Sequence, residues 1–349
     1  MNKQFQIPPP PKVTILMSVY NGERYLREAI DSILNQTFRD FEFLIINDGS
    51  TDRTKEILDS YKDPRIRVIN NEKNIGLTKS LNKGLRLAKG EYIARMDADD
   101  ISLPERLSTQ AIFLDAHPDI GALGSAVQII NGCGIQSSVL RFPADHGFLR
   151  WCLCFYDPIP HPSAMMRKKA MEQVGGYASD MMYAQDYDLW RRLSVVTRLA
   201  TLPDVLLYLR KHEESLTERH LMQQRKNSIK TSQKVMSDML GKDIPIDVVK
   251  NLWNLKFRAV NDARRTAKLI SNLYRVCVTD GTLSIAENRM IQKDVVSRLL
   301  ALVRPRVYDV RLWPVFAFAC RLDPLTFARG VIQKIRRKIE GRFYLRVRI

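Results

Sequence analysis

Tyr92-Ile93-Ala94-Arg95-Met96-Asp97-Ala98-Asp99-Asp100 is the stretch on which the reading of this chain turns. Its first five residues read as a short buried strand of the kind found in parallel sheets covered on both faces. Three carboxylates follow within four residues. Such a group repels itself unless water or a cation neutralises it.

Upstream, the strand belongs to a repeating unit. Val13 to Val19 is a continuous apolar run, broken by Asn21-Gly22. Glu23 to Gln36 then carries Tyr25, Leu26, Ile30, Ile33 and Leu34 at helical spacing. Phe41 to Asn47 is a second strand, closed by Asp48-Gly49-Ser50, and Thr54 to Tyr61 is its helix. Ile66 to Asn70 is a third strand, followed by a helix over Leu77 to Ala88 with Gly90 as its C-cap. This alternation predicts an α/β fold: a Rossmann-like, mainly parallel sheet with helices on both faces. Ligands of such sheets bind beyond the C-terminal strand ends, where Asp48 and Asp97 both stand.

Downstream, Ser102-Leu103-Pro104-Glu105 has capping-box form and predicts a helix start. Gly121 to Pro162 reads as strands and loops, Ala170 to Val174 as a short helix, and Asp186 to Leu193 as the start of another. From about Glu218 the pattern is helical, over Glu218 to Leu240, Asp247 to Val278 and Ser284 to Val303. Ser284-Ile285-Ala286-Glu287 is a second capping box.

The charge divides the chain at the same place. Residues 1–220 hold 28 basic and 28 acidic side chains, whereas residues 221–349 hold 27 and 10 and carry the whole net charge of +17. We therefore expect a proline-rich lead-in over 1–11, an α/β domain over 12–220 and a smaller basic helical region over 221–349, the last facing an anionic surface. The five cysteines are odd in number and lack CxxC spacing, which fits a reducing compartment. Met1 to Lys12 has no apolar core of a signal peptide. Leu312 to Cys320 is far shorter than the roughly 20 residues of a spanning helix. No zinc-finger spacing, RNA-binding aromatic motif or basic zipper occurs, so nucleic acid is not an expected partner. GxGxxG is absent after the first strand, where Tyr20-Asn21-Gly22-Glu23 stands. That spelling also lacks the glycine-rich phosphate loop a nucleotidyltransferase would place there.

The carboxylates suggest chemistry. Hard oxygen ligands at Asp97, Asp99 and Asp100 suit a divalent metal, Mg or Mn, of the kind held by one or two carboxylates plus substrate phosphates. Asp100 also suits capping of the next helix. Asp48 can accept an N–H from a nucleotide base, or close an Asx-turn or cap a helix, a task open to Ser50 and Asp52 as well. Lys79 is placed to reach a diphosphate, or is an exposed helix lysine.

Taken in order, the motifs carry a resemblance. Val13 to Asn21, Asn47-Asp48-Gly49-Ser50-Thr51-Asp52, Asn74-Ile75-Gly76-Leu77 and Met96-Asp97-Ala98-Asp99-Asp100 are followed by His161-Pro162-Ser163-Ala164-Met165-Met166-Arg167, Gly175-Gly176-Tyr177 and Gln185-Asp186-Tyr187-Asp188-Leu189-Trp190. Over residues 12 to 215 the set resembles the family 2 glycosyltransferases of the GT-A fold. The resemblance implies a nucleotide-sugar donor, UDP-linked, bound by Ser18, Tyr20, Asn21, Glu23, Asp48, Gly76, Lys79, Asp97, Ala98 and Asp99. It implies a metal at Asp99, a candidate second ligand in His212, and a catalytic base at Asp186. Without it, Asp186 reads equally as a helix N-cap and His212 as a surface histidine. Gln185 stands where the family places a glutamate. His161 is either structural or part of an acceptor site.

One base and direct displacement imply inversion at the anomeric carbon. The expected reaction moves a hexose or N-acetylhexosamine to a hydroxyl of a glycan or lipid-linked glycan in bacterial surface polysaccharide synthesis. The alternative is an inactive relative that binds sugars or partners, against which Asp99 and Asp186 argue. Ile332, Ile335, Ile339 and Phe343 lie at helical spacing among Lys334, Arg336, Arg337 and Lys338. That pattern suits either a helix lying on an anionic membrane surface or one packed on the α/β domain. The expected place of action is the cytoplasm, on the inner face of the membrane.

Overall fold

All seven residues of β1 (Val13–Val19) are buried, as a strand between two covering layers requires. The computed structural model describes residues 9–215, 220–254, 259–279, 281–303 and 309–332. It divides into two compact units, Met1–Ser228 and Ile229–Ile349.

In the first unit, β1 lies parallel to β2 (Phe41–Asn47) and β4 (Tyr92–Met96), and β2 is parallel to β3 (Ile66–Asn70). The registers Val19↔Asn47, Met17↔Met96 and Asn47↔Asn70 bring the C-terminal ends to one edge of the sheet. Three helices connect these strands. α1 (Leu26–Leu34) buries Leu26, Ala29, Ile30 and Ile33, one stripe of a 3.6-residue period. α2 is Thr54–Ser60 and α3 is Leu77–Leu87. Gly90 is not the left-handed cap expected of it, since its φ is not positive. It is small for another reason: a Cβ there would stand 2.4 Å from the Thr14 backbone nitrogen.

The sheet then becomes mixed. Its order among the described residues is β3-β2-β1-β4-β8-β6-β9-β5, with β7 against β6. β5 is Ile101–Ser102, β6 Ile120–Asn131, β7 Gln136–Leu140, β8 Met165–Arg167 and β9 Arg198–Lys211. β8 runs antiparallel between β4 and β6, while β6 and β9 are a long parallel pair. Pro203 and Asp204 fall where the β6–β9 register shifts, which is where a strand tolerates a residue without a ladder donor. α4 (Arg106–Ala116), α5 (His146–Cys152), α6 (Lys168–Gln173) and α7 (Gln185–Val196) complete the unit.

The capping box expected at Ser102 does not form. α4 begins after Glu105 without a side-chain cap, because Ser102 is in β5 and its hydroxyl accepts from Gln36 Nε2 at 3.1 Å. The second box does form: Ser284 N donates to Glu287 Oε2 (2.8 Å), and Glu287 N to Ser284 Oγ (3.1 Å).

α8 (Leu221–Leu240) starts in the first unit and continues into the second. The helix expected over 247–278 is found as α9 (Ile246–Asn254) and α10 (Val260–Thr279), with 255–258 outside the described residues. α11 (Ile285–Val303) and α12 (Trp313–Leu322) follow. Residues 324–332 are helical, and the remainder of the basic C-terminal stretch lies outside the described residues.

Candidate active site

The loops that leave β1 and β2 are tied to each other. Asn21 takes a left-handed conformation (φ 52°), its Oδ1 accepts from Thr51 N at 2.8 Å, and its own N–H donates to Ser50 Oγ at 3.0 Å. Glu23 N donates to Asp52 Oδ2 (3.0 Å), and Arg53 N donates to Glu23 Oε2 (2.9 Å). Asn21 and Glu23 therefore hold the β1 and β2 loops together through their backbones. Tyr20 is nearly half exposed beside them, while Ser18 is buried in the strand.

Asp48 is 2% exposed and occupied. Its carboxylate accepts from Asn71 Nδ2 (2.8 Å), Ile75 N (3.0 Å) and Gly76 N (2.9 Å). That uses three of its roughly four lone-pair sites, so at most one remains for a base. Gly76, at φ 91°, directly precedes α3, and Lys79 on the first turn of α3 is exposed.

The acidic turn sits on two buried arginines. Arg95 is fully buried and pairs with Asp97, and Arg106, also fully buried, donates to the Arg95 carbonyl at 2.7 Å. Burial brings the Arg106 guanidinium down to about 10. About a third of the Asp97 and Asp99 side chains reaches solvent, so both can meet a ligand. Burial raises the Asp97 carboxyl; Arg95 opposes this and the Asp99 charge adds to it. Asp100 does not cap a helix. It is buried, accepts from Arg210 N in β9 at 2.8 Å, and is raised well above the usual range by burial and by Asp99 and Asp97.

β9 also brings His212 to the turn. His212 Nε2 lies 2.9 Å from Asp99 Oδ2. Two cis ligands at about 2.1 Å from one octahedral cation stand about 3 Å apart, so this pair fits a shared metal as well as a hydrogen bond. Ligand oxygens of Asp97, Asp99 and Asp100 lie within 4.8 Å of one another. Arg210 holds the frame: Nε donates to the Asp99 carbonyl (2.8 Å), Nη2 to Glu28 (2.5 Å), and the guanidinium lies 4.4 Å from the Tyr25 ring centre.

Asp186 stands in the first turn of α7, where its Oδ1 accepts from Tyr187 N at 2.9 Å. Burial raises its carboxyl, and the charge of Asp97, 89 positions earlier in the chain, adds to the rise. Asp186 therefore lies within electrostatic reach of Asp97. Asp157 joins them. Burial and the Asp186 charge raise it well above the usual range, and its Oδ1 accepts from Ile159 N at 3.1 Å. His161 is not on this surface. It is buried, its Nε2 lies 2.8 Å from the Tyr177 hydroxyl, and burial keeps it neutral.

Sequence reasoning missed Arg95, Arg106, Asp157 and Arg210. Arg95 had a signal, a charge inside a buried strand directly before an acidic turn. Asp157 had none.

The sheet thus carries a carboxylate turn at the end of β4, with a further carboxylate on α7 within reach of its charge. Residues 14–175 match the family described as Glycosyl transferase family 2. An uncharacterized glycosyltransferase of Haemophilus influenzae is 34% identical over 272 residues, covering 74% of this chain and 84% of that protein. This chain belongs to the family 2 glycosyltransferases and is a transferase. The O-antigen biosynthesis glycosyltransferase WbnJ of Escherichia coli is 34% identical over 210 residues, covering 58% of this chain and 81% of that protein. The crystal structure of S. aureus TarS 1-349 in complex with UDP-GlcNAc is similar in fold, with TM-score 0.56 and 20% identity over 93% of this chain and 89% of that chain.

Proposed function

We propose that this enzyme transfers a hexose or N-acetylhexosamine from a UDP-linked donor to a hydroxyl of a glycan or lipid-linked glycan, with inversion, in bacterial surface polysaccharide synthesis. The observation that carries the reading is the carboxylate turn at the end of β4, where His212 Nε2 lies 2.9 Å from Asp99 Oδ2, with Asp186 on α7 within reach of the Asp97 charge. O-antigen biosynthesis by WbnJ and the UDP-GlcNAc complex of TarS point the same way.

In this reading Tyr20 and Ser18 lie along base and ribose, and Asn21 and Glu23 hold the loop that carries them. Asp48 orders Ile75 and Gly76, and its remaining lone pair meets the base. Asp97 and Ala98 border the ribose and sugar, and exposed Lys79 reaches toward the diphosphate. Asp99 and His212 hold a divalent cation, Mg or Mn, which when bound offsets the charge that develops on the diphosphate. Asp186 takes the proton from the acceptor hydroxyl as its oxygen bonds to the anomeric carbon and the bond to the diphosphate breaks. Burial, with the Asp97 charge added, raises the Asp186 carboxyl and makes it a stronger base than an exposed aspartate.

Asp186→Asn tests the base. It removes the proton acceptor and nearly preserves shape, so transfer falls by about 10²–10⁴-fold while donor affinity holds within a few-fold. Nucleotide release with a metal titration reads the first quantity and calorimetry the second. Turnover within a few-fold of wild type would remove Asp186 from this role.

We further propose that the basic C-terminal region rests on an anionic membrane surface at the inner face of the cytoplasmic membrane. The net charge of residues 221–349 supports this, as do the exposed apolar side chains Val310, Trp313, Leu325 and Ile332. No helix among the described residues is long and apolar enough to cross a membrane.

A further inference from the structure

The two residues before α7 have unusual backbones. Tyr183 (φ 64°) and Ala184 (φ 58°) are consecutive left-handed residues without being glycine. A side chain makes that region unfavourable at one position, and two in succession persist only where the surroundings impose them. Three side chains do so here. Asn227, buried on α8 within the first unit, donates its amide to the carbonyls of Met182 and of Tyr183, the latter at 3.2 Å. The His220 ring stacks on Tyr183 with centroids 4.5 Å apart and an interplanar angle of 27°. From the other side, the Thr78 hydroxyl of α3 donates to the Met181 carbonyl at 2.9 Å.

The direction in which the chain enters α7 depends on these two residues, and Asp186 is the second residue of that helix. If Tyr183 and Ala184 relaxed to ordinary conformations, the first turn would start elsewhere and its carboxylate would leave Asp97. We propose that Asn227 is a positioning residue for Asp186, acting by holding the left-handed pair in place. This rests on the reading of Asp186 as the base. Asn227 itself touches neither substrate nor reacting atoms in this reading. Its amide is the one side-chain group among the described residues shown to bond two successive carbonyls of the segment.

The test uses the full chain with Asn227→Ala and with Asn227→Asp, the second keeping the size but removing the amide donor. Each should lower kcat by about 10-fold or more through misplacement of the base, with donor KM and calorimetric donor affinity unchanged within twofold. Amide exchange should quicken over residues 178–184. Ala184→Gly adopts the left-handed conformation freely, so adding it to Asn227→Ala should recover most of the lost kcat. Unchanged kcat in both single variants, or equal losses of kcat and donor affinity, would overturn the proposal. So would a double variant no better than Asn227→Ala. An active Asp186→Asn enzyme would instead overturn the base assignment. The exchange measurement still judges the clamp in that case, and unaltered exchange over 178–184 would sink it.

Discussion

Asp48 shows how one residue can carry structure and function together. Its carboxylate satisfies two backbone N–H groups and one side-chain amide in a buried place. Asp48→Asn would turn one acceptor oxygen into a donor facing donors. Leaving such groups unsatisfied costs about 1–3 kcal/mol, so the urea midpoint should fall accordingly and nucleotide affinity with it. An unchanged midpoint would show that the loop does not depend on the charge. Asp186 gives the second prediction at this scale. Its carboxyl is raised by burial and by Asp97, so it is protonated, and useless as a base, at pH values where an exposed aspartate is ionised. Activity should fall as pH drops through a midpoint above the usual carboxylate range, and a kcat/KM profile locates that midpoint. The sign for stability follows. The folded state holds these protons more tightly than the unfolded chain. Stability therefore declines as pH rises from the usual carboxylate range through the raised values of Asp100, Asp157 and Asp186. Asp63 and Asp115 work the other way at lower pH, held down by Arg65 and Lys12.

Among the elements, α4 and α11 make an instructive pair. Both starts spell a capping box, yet only Ser284 and Glu287 close one. The difference is tertiary: β5 pairs with β9, Ser102 opposite Leu207, and the Ser102 hydroxyl is taken by Gln36 Nε2. Ser284→Ala should therefore destabilise α11 by about 1 kcal/mol, whereas Ser284→Asp should keep most of the cap. Thermal unfolding of the full chain reads both, and an alanine variant as stable as wild type would contradict the cap's role. The β6–β9 pair was illegible for a related reason. Pro203-Asp204 interrupts the period-2 pattern that identifies a strand, and the ladder continues past it only because β9 bulges there, Ser125 facing Leu202 and Ala126 facing Val205. The four parallel strands were legible because each is short, apolar and punctuated by a turn.

For the molecule as a whole, charge separates the two ends of the chain. Asp and Glu balance Lys and Arg through residue 220, and the excess of 17 positive charges follows. If the basic region meets a membrane, binding to vesicles with 30% anionic lipid should be readily measured by flotation and should weaken steeply from low to physiological salt. About 1 kcal/mol per basic side chain near the surface makes several necessary. Absence of binding at low salt would leave the region as a packing module.

By itself the sequence determined the parallel half of the sheet, the carboxylate turn at its edge and the candidacy of Asp48, Asp99 and Asp186, because apolar runs, turn residues and motif order are local. It did not determine what neutralises that turn or what faces it. Arg95 and Arg106, Arg210 and His212, and Asp186 within reach of the Asp97 charge come from segments separated by up to a hundred residues or more. A carboxylate's proton affinity depends on burial and on charges a few ångströms away, and only the folded chain sets those distances.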